Sequence, residues 1–374
     1  MISRLLSAPI FLFLFAYGFL SHFTSSEFWP ITISKTWLTP SQFETSMLQK
    51  PLLTLFLSVF HLVKMPDLVH LIVVKAIFAA FCTYGFYHFI KFVLKRAGFD
   101  YHDKPLINIV AALFVLACPT YLNYFFSIRS DQVACALFCL FLLFCEEKKQ
   151  ISAAAALALI PLFGVKEILF LLPGGIYYLW TFGNQASKKV SKKNLLYILG
   201  FAFTALIWIV ALNIQFFYYF MEAYEGTNYL DRFNTYYYKQ ELFLLIATVG
   251  IWMYIFAAKQ TEYYKEAVIS FIFTMLLWFF PQSYYFYMAS FLPFIYLPIV
   301  IVFLRMKIYR SLKFAMVAVH IFFVIRSTLT LKALFFDSVA YQYSYISKAS
   351  DFIQRHHFLY MDGMGLLPQA ALEP

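Results

Sequence analysis

Charged residues are scarce in this sequence, and their scarcity excludes an ordinary soluble fold. Only 13% of the 374 residues are charged, whereas 62% are hydrophobic. Soluble domains carry about 25% charged residues. Several apolar runs are long enough to cross a bilayer, which takes roughly 20 helical residues. The composition therefore predicts an all-α, polytopic membrane protein.

Motifs for nucleotides and metals are missing as well. The sequence has no Gly-rich phosphate loop, so a nucleotide-sugar donor bound on the inner face is not supported. The five cysteines fall in or beside apolar runs, without the spacing of a metal site or a disulfide framework. No period of about 20–50 residues repeats, which argues against a solenoid. From spacing alone we predict no metal site.

The formal net charge of +10 is concentrated at the ends of apolar runs, where basic residues act as orientation signals. We therefore expect membrane lipids, and no nucleic acid, among the partners. With the amino terminus inside, the basic residues favour the inner side, and the loops with unusual polar residues share the outer face. Those loops are residues 25–66, 127–131, 166–167, 218–241 and 281–287.

About eleven membrane-spanning helices are predicted within residues 1–331. They are followed by a short outer tail, residues 332–374, with too little sequence for a core of its own. The first span, residues 5–23, is expected to be retained rather than cleaved. The other predicted spans are residues 68–90, 105–126, 132–145, 151–165, a short helix ending at residue 180, and 195–217, 242–258, 267–280, 288–304 and 314–331.

The first outer loop, residues 25–66, holds the candidate catalytic groups. Glu27 follows the first span directly, and a carboxylate desolvated at a membrane rim can have a raised pKa that suits a general base. Glu27 and Glu44 can each be either a general base or an ordinary solvated acid of the loop. Residues 51–63 are apolar but too short to span, which predicts an amphipathic interfacial helix. Lys50, at its start, either binds a lipid phosphate or is an ordinary lysine that reaches towards water.

Two later pairs of charges are candidates for substrate contacts. Arg129 and Asp131 flank one serine at the mouth of the fourth span. They form either a simple ion pair at the rim or a phosphate-binding arginine oriented by its acid. Lys166 and Glu167 lie deep in apolar sequence, where charges are costly without partners. We therefore expect this second pair to line a cavity.

The remaining candidates are aromatic or basic residues near the predicted outer face. Tyr284 and Tyr285 stack on a sugar, line a lipid groove, or belong to an aromatic belt at the interface. Lys75 and Arg326 fall within predicted spans. Both are expected near the outer helix ends, with their charged groups reaching towards water.

In order and spacing, these features resemble the GT-C superfamily of polyprenyl-phosphate-sugar-dependent glycosyltransferases. The most similar branch is that of the protein O-mannosyltransferases and lipid A aminoarabinose transferases. That branch has an acid at the outer end of the first helix, here Glu27, and a Lys-Pro-Pro-Leu-like run, here Lys50-Pro51-Leu52-Leu53. It also has an acid opening the fourth helix, here Asp131, and a lysine after the fifth, here Lys166. Its late Tyr-rich stretch before a Pro-containing helix corresponds to residues 282–293.

The resemblance covers residues 1–305 and departs from the branch at two positions. Ser26-Glu27 replaces the usual acidic pair, and Leu52 replaces the second proline. The large carboxy-terminal domain of some members has no counterpart among these residues.

The resemblance implies an inverting transfer of sugar from a polyprenyl phosphate to a hydroxyl of a glycan, lipid or protein. The implied place is the periplasmic face of a bacterial inner membrane, and some relatives use a divalent cation such as Mg or Mn. A carboxylate takes the acceptor proton, and cations stabilise the departing phosphate. The implied acids are Glu27 by preference, then Glu44 or Asp131; the cations are Lys50, Arg129 and Lys166; the substrate contacts are Glu167, Tyr284 and Tyr285.

Two other classes of function remain open at this point. The first is a polytopic lipid or glycan transporter, although transporters usually show inverted repeats and helices broken at mid-membrane. This sequence has no evident symmetry between its halves, and its polar residues gather at one rim. The second is a non-catalytic membrane subunit of the same fold, which the missing second acid beside Glu27 keeps open.

Overall fold

The computed structural model describes residues 9–20, 34, 38, 50–63, 67–99, 104–117, 129–183, 236–279 and 285–305. The described residues are predominantly helical and contain no strand, which confirms the all-α class for this part of the chain. The helices are α1 (Pro9–Leu20), α2 (Pro51–Leu62), α3 (Asp67–Arg96), α4 (Lys104–Ala117), α5 (Ser130–Glu146), α6 (Gln150–Phe163), α7 (Leu171–Phe182), α8 (Tyr236–Ala257), α9 (Tyr264–Phe279), α10 (Tyr285–Ile295) and α11 (Leu297–Arg305). Short 3₁₀ segments, Val165–Phe170 and Thr261–Tyr263, precede α7 and α9.

One stretch of these helices, Ile72–Arg96, is long and apolar enough to cross a membrane, judged by length and composition. The predicted spans at residues 195–217 and 314–331, and the tail, lie outside the described residues. Shorter apolar helices accompany the long one: Pro51–Leu62, Gln150–Phe163, Glu167–Phe182 and Thr248–Ala257.

Helix α5 lies at the centre of the bundle and packs against α3, α6, α7 and α10. Nearly all of its side chains are buried. Phe138 is in its middle, and its ring centroid lies 5.5 Å from that of Phe170, 5.3 Å from Phe273 and 4.8 Å from Phe294. Tilted and edge-to-face arrangements of this kind add to the area that the rings bury. This aromatic cluster joins α5 to α9, α10 and the 3₁₀ segment before α7.

Helices α3 and α5 approach each other closely at Gly85. A Cβ atom built on Gly85 would lie 2.8 Å from Ala136 Cβ and 2.9 Å from Ala136 Cα. Only glycine on one helix and a small residue on the other allow this separation. The close approach fixes the two helices at a common depth.

The charges at one end of the bundle join helices that are far apart in sequence. Arg96 Nε donates to Glu266 Oε1 at 2.7 Å, and Arg96 Nη2 donates to Glu266 Oε2 at 3.1 Å. The same Nη2 donates to the carbonyl oxygen of Glu262 at 2.7 Å. Tyr177 Oη donates to Glu266 Oε1 at 3.4 Å. The end of α3 is thereby tied to the start of α9 by a two-point ion pair, which is the strongest common geometry for such a pair.

A second ion pair holds the end of α11 in the same place. Arg305 Nη1 donates to Glu262 Oε2 at 2.6 Å and to Tyr263 Oη at 2.9 Å. The hydrogen bond from Arg305, and then that from Tyr263, lower the pKa of the Glu262 carboxyl. Glu146, at the end of α5, lies 4.0 Å from Lys95 and Arg96. We call this the charged end of the bundle, defined by Arg96, Glu146, Glu262, Glu266 and Arg305.

Two boundaries differ from the sequence-based prediction. Residues 236–241, assigned to the Tyr-rich loop, form the first turns of α8; they contain no proline or glycine that would end a helix. The single span predicted at residues 288–304 is two helices, α10 and α11, separated at Tyr296. Pro298 has no N–H and crowds the preceding turn, so it interrupts the ladder there.

The carbonyl freed by this break is satisfied from another helix. Ser270 Oγ, in α9, donates to the carbonyl oxygen of Ile295 at 2.5 Å. Trp252 Nε1, in α8, donates to Ser270 Oγ at 3.1 Å. Two linked hydrogen bonds therefore join α8, α9 and α10 at the break. They satisfy a buried backbone carbonyl, which would otherwise be costly to leave unpaired.

Candidate active-site cleft

Helix α5 begins well short of the start of α3. Helices α3 and α5 both end at the charged end, at Arg96 and Glu146. At about 1.5 Å per residue, the 30 residues of α3 span about 45 Å and the 17 residues of α5 about 25 Å. Helix α3 therefore extends about 20 Å beyond the point where α5 begins. We call this opposite side the cleft end, defined by Arg129, Asp131, Gly164 and Glu167.

Arg129 and Asp131 form a buried ion pair at the first turn of α5. Arg129 Nε donates to Asp131 Oδ1 at 2.9 Å, and Gln132 Nε2 donates to Asp131 Oδ2 at 3.1 Å. The two charged residues are 6% and 4% exposed. Both carboxylate oxygens thus have a donor, and the acid also lies at a helix N-terminus, which favours negative charge. The ion pair expected from the sequence is therefore present, and both of its side chains are buried. Phosphate binding by Arg129 stays a prediction.

Glu167 is the second buried acid at the cleft end, and a glycine makes room for it. Glu167 is 4% exposed and lies in the 3₁₀ segment before α7. A Cβ atom built on Gly164 would lie 2.9 Å from both Glu167 Cδ and Oε1. The carboxylate therefore occupies the space that any other residue at position 164 would fill.

Asp131 and Glu167 lie at similar depths in the bundle. Their helical segments are joined by the ring contact between Phe138 and Phe170. From that contact, Asp131 is about 10 Å towards the cleft end along α5. Glu167 is about 6 Å in the same direction along the 3₁₀ segment. The two acids therefore lie at similar positions along adjacent segments.

Lys75 is a buried cation of α3 that the sequence reading placed wrongly. We expected its ammonium to reach water at the helix end, but Lys75 is 1% exposed. It lies on the same face of α3 as Cys82, two turns away. The Asp131 carboxylate is one of the charges that act on Cys82. Lys75 therefore lies on the face of α3 that borders the start of α5.

Lys50 begins α2, as predicted, with Pro51 in the first helical position, where proline is favoured. The buried face of α2 includes Thr54 and Ser58, and the helix packs on α6. Its ring contacts, Phe60 with His70 and Phe56 with Phe78, run antiparallel along the first half of α3. Phe56, six residues after Lys50, therefore lies near the depth at which α5 begins.

Several predicted site residues have no described position. Glu27, Glu44 and Tyr284 lie outside the described residues, and only the backbone of Lys166 and Tyr285 is described. Their proposed roles stay predictions. Sequence reasoning missed Lys75, Gln132 and Gly164. For Lys75 a signal existed: a lysine well inside a long apolar run is costly unless it faces the protein interior.

Within the described part of the chain, no group of three or more His, Cys, Asp or Glu side chains is placed to hold a metal ion. Asp131 and Glu167 do not form such a group. The Mg or Mn ion implied by the resemblance therefore has no described ligand set. No protein-family model, curated protein or solved structure matches this chain.

The cleft end combines groups suited to binding an anion in an apolar setting. Arg129 contributes a buried guanidinium whose Nε is bonded to Asp131. Lys75 adds a second buried cation, and Lys50 a half-buried one. Interactions with a bound phosphate are strengthened where water is excluded.

Proposed function

We propose that this chain is a multi-pass membrane protein that transfers a sugar from a polyprenyl-phosphate donor to an acceptor hydroxyl at its cleft end. The observation that carries the proposal is the buried Arg129–Asp131 pair at the start of α5, with the buried Glu167 at a similar depth. Desolvation offsets much of the attraction in a buried ion pair. Its presence inside an apolar bundle therefore favours a functional role over a stabilising one.

The distribution of side chains supports embedding in lipid. Leu62, Ile246 and Met253 are 64%, 62% and 63% exposed. Lys75 and Glu266 are buried in the same bundle. In a soluble protein, fully buried Lys and Glu are rare. Apolar side chains facing outwards and charges facing inwards are expected where the surrounding solvent is lipid.

The charges support an orientation. Basic residues gather at the charged end and in its turns, among them Lys148, Lys149 and Lys259. By the positive-inside rule this end faces the cytoplasm. The cleft end then faces the outside, which for a bacterial inner membrane is the periplasm, where polyprenyl-phosphate sugars are used.

The cations of the cleft end suit the phosphate of the donor. Arg129 is oriented by Asp131 and faces a phosphate near the start of α5. Lys50 and Lys75 supply further positive charge. The outward face of α2, with Leu55, Val59 and Leu62 exposed, is an apolar surface beside Lys50 along which a prenyl chain can lie.

The transfer is a single inverting displacement at the anomeric carbon. The acceptor oxygen forms the new glycosidic bond while its proton passes to a carboxylate. The bond between the anomeric carbon and the phosphate oxygen breaks, and its electron pair leaves with the polyprenyl phosphate. Both oxygens of Asp131 already accept hydrogen bonds, so we assign Asp131 to orientation and keep Glu27, with Glu44 as the alternative, as the base.

The test is a transfer assay in proteoliposomes. Purified protein is supplied with a panel of polyprenyl-phosphate sugars, and release of polyprenyl phosphate is measured. Glu27→Gln should abolish release while leaving insertion and thermal stability unchanged, because only the proton acceptor is lost. Glu44→Gln serves as the matched variant in the same loop. If Glu27→Gln releases polyprenyl phosphate normally and Glu44→Gln does not, Glu44 is the base. Normal release by both variants would contradict the assignment of the base to this loop.

A glycine substitution tests the part played by Glu167. Gly164→Ala should displace the Glu167 carboxylate, because the new Cβ would overlap it at 2.9 Å. We expect transfer to fall roughly 10- to 100-fold, as misplaced active-site groups do. The free energy of unfolding should change by less than about 1 kcal/mol, because the end of a flexible side chain yields easily. The backbone at Gly164 is extended, so alanine adds no strain.

The control for this variant is Gly175→Ala in the adjoining helix α7. No atom lies within 4 Å of a Cβ at Gly175. This variant should keep the wild-type rate. A wild-type rate in Gly164→Ala would show that the position of Glu167 does not matter for transfer.

Transport of a lipid or glycan is the second candidate, favoured by one observation. Helices α10 and α11 are broken at Tyr296, and Ser270 satisfies the freed carbonyl of Ile295. Transporters place such broken helices around their substrate sites. Movement of a labelled polyprenyl-phosphate sugar across the proteoliposome membrane, without release of polyprenyl phosphate, would favour this function. A non-catalytic subunit would neither move the labelled lipid nor release polyprenyl phosphate.

A further inference from the structure

Two lysines at the charged end, Lys148 and Lys265, act electrostatically on one another. Burial lowers the pKa of the Lys265 ammonium, and the positive charges of Lys148 and Arg96 lower it further. Both lysines also act on the buried Cys145. Among the described residues, neither lysine is within 4.0 Å of a carboxylate oxygen. Like charges repel one another, and an anion between them would offset the repulsion.

The adjacent carboxylate does not supply that anion. Glu266 also acts on Lys265, but less than Lys148 and Arg96 do. Both of its oxygens are held by Arg96, at 2.7 and 3.1 Å. Glu266 therefore does not neutralise Lys148 and Lys265.

The position of Lys265 is held by the end of α7. Its ammonium donates to Thr181 Oγ1 at 3.3 Å and lies 5.8 Å from the centre of the Tyr177 ring. Lysine over a tyrosine ring is a favourable arrangement. The cation is thus fixed in place by neutral groups.

Lys148 occupies a backbone position that favours glycine. Its φ is +58°, and it ends α5 in a Schellman motif: Lys148 N–H donates to the Cys145 carbonyl at 3.2 Å, and Lys149 N–H to that of Phe144 at 2.9 Å. Glycine is the usual residue at this point. A side chain in the left-handed region costs about 1–2 kcal/mol. Lysine therefore places a charge here at the expense of backbone stability.

Two equivalent turns at the ends of other helices give a comparison. Gly98, after α3, has φ +80°, and Lys259, after α8, has φ +49°. Lys259 has the same strain and charge as Lys148, but it is not among the charges that act on Lys265. Lys259 is therefore a matched control for the role of Lys148.

We infer that Lys148, Lys265 and the Thr181 hydroxyl form a binding site for the phosphate of an anionic lipid headgroup in the inner leaflet. The inference rests on the membrane embedding of the proposed function. Leu179 and Trp180, in the same turn as Thr181, are 63% and 39% exposed. This apolar surface suits acyl chains beside the headgroup, and tryptophan is typical of the membrane interface. An acyl-bearing ligand therefore fits the site better than free phosphate.

The experiment compares nanodiscs of phosphatidylcholine alone with nanodiscs that also contain phosphatidylglycerol. The thermal midpoint of the wild-type protein should rise with the phosphatidylglycerol content, because bound ligand stabilises the folded state. In Lys148→Gly the midpoint in phosphatidylcholine should stay equal or rise, since the strained φ is relieved. Its apparent affinity for phosphatidylglycerol should fall about five-fold, as expected for one basic residue near a membrane surface.

Four further measurements decide the inference. Lys259→Gly should keep the wild-type affinity for phosphatidylglycerol. An equal loss of affinity in Lys148→Gly and Lys259→Gly would mean that general surface charge attracts the lipid, and would overturn the site. Inorganic phosphate in phosphatidylcholine nanodiscs should have no effect; an equal shift would make free phosphate the ligand and overturn the lipid assignment. Sugar transfer by Lys148→Gly should be normal. Failure of the wild type to enter nanodiscs would instead overturn the membrane embedding, and this inference with it.

Discussion

Replacing Glu266 with Gln is expected to lower the free energy of unfolding by about 3–5 kcal/mol. The wild-type carboxylate is fully buried and receives two hydrogen bonds from Arg96. Removing the charge leaves the largely buried Arg96 guanidinium with only the Glu262 carbonyl and the more distant Glu146, 4.0 Å away, as partners. Removing one partner of a buried pair in this way is costly. Thermal and denaturant unfolding in mild detergent would measure the loss.

The matched control is Glu262→Gln, one turn away. Glu262 is also paired with an arginine, at 2.6 Å, but its side chain is 53% exposed. Exposed pairs contribute about 0–1 kcal/mol, so this variant should be nearly neutral. Replacing both Arg96 and Glu266 with apolar residues of similar volume should restore most of the stability. A loss below about 1 kcal/mol in Glu266→Gln would contradict the account of the charged end.

Asp131→Asn is expected to reduce sugar transfer by at least about 100-fold. The substitution removes the charge that orients Arg129, whose Nε bonds Asp131 at 2.9 Å. A guanidinium that turns away from the departing phosphate no longer stabilises its developing charge, and one such group is typically worth 100- to 1000-fold. Initial rates of polyprenyl phosphate release, divided by the amount of folded protein, would measure the effect.

A double variant separates lost function from lost folding. Asp131→Asn alone leaves Arg129 buried without its acid and should also destabilise the protein. Asp131→Asn combined with Arg129→Gln leaves a neutral pair that can still hydrogen-bond, so it should fold nearly as well as the wild type and still be inactive. A folded double variant with normal transfer would show that neither charge takes part in the reaction.

Much of the bundle follows from local features of the sequence. Helix α5 was predicted within two residues at each end, because charges flank an unbroken apolar run on both sides. The short turns after residues 146 and 257 reverse the chain, so the ends predicted to share the inner side meet at the charged end. The eleven-span topology extends into residues outside the described part and stays a prediction.

The features that the sequence did not predict depend on contacts between distant segments. The break at Tyr296 had a local signal in Pro298, but a proline alone does not distinguish a kink from two helices. The partner that satisfies the break, Ser270, comes from another helix. Likewise, the burial of Lys75 depends on where α5 begins relative to α3, which no local pattern reveals. Gly164 and Glu167 are close in sequence, but their contact could not be predicted, because it depends on the 3₁₀ conformation that places the carboxylate against Gly164.

The most direct test of the central claim is equilibrium binding of a polyprenyl phosphate, the leaving group common to every sugar donor, to the protein in nanodiscs. Wild type should bind, and Arg129→Gln should bind at least about ten-fold more weakly, since a charge-assisted contact to phosphate is lost. Arg305→Gln, which removes an arginine from the charged end, should bind as the wild type does. Equal affinity in wild type and Arg129→Gln would contradict the claim that the cleft end receives the lipid phosphate.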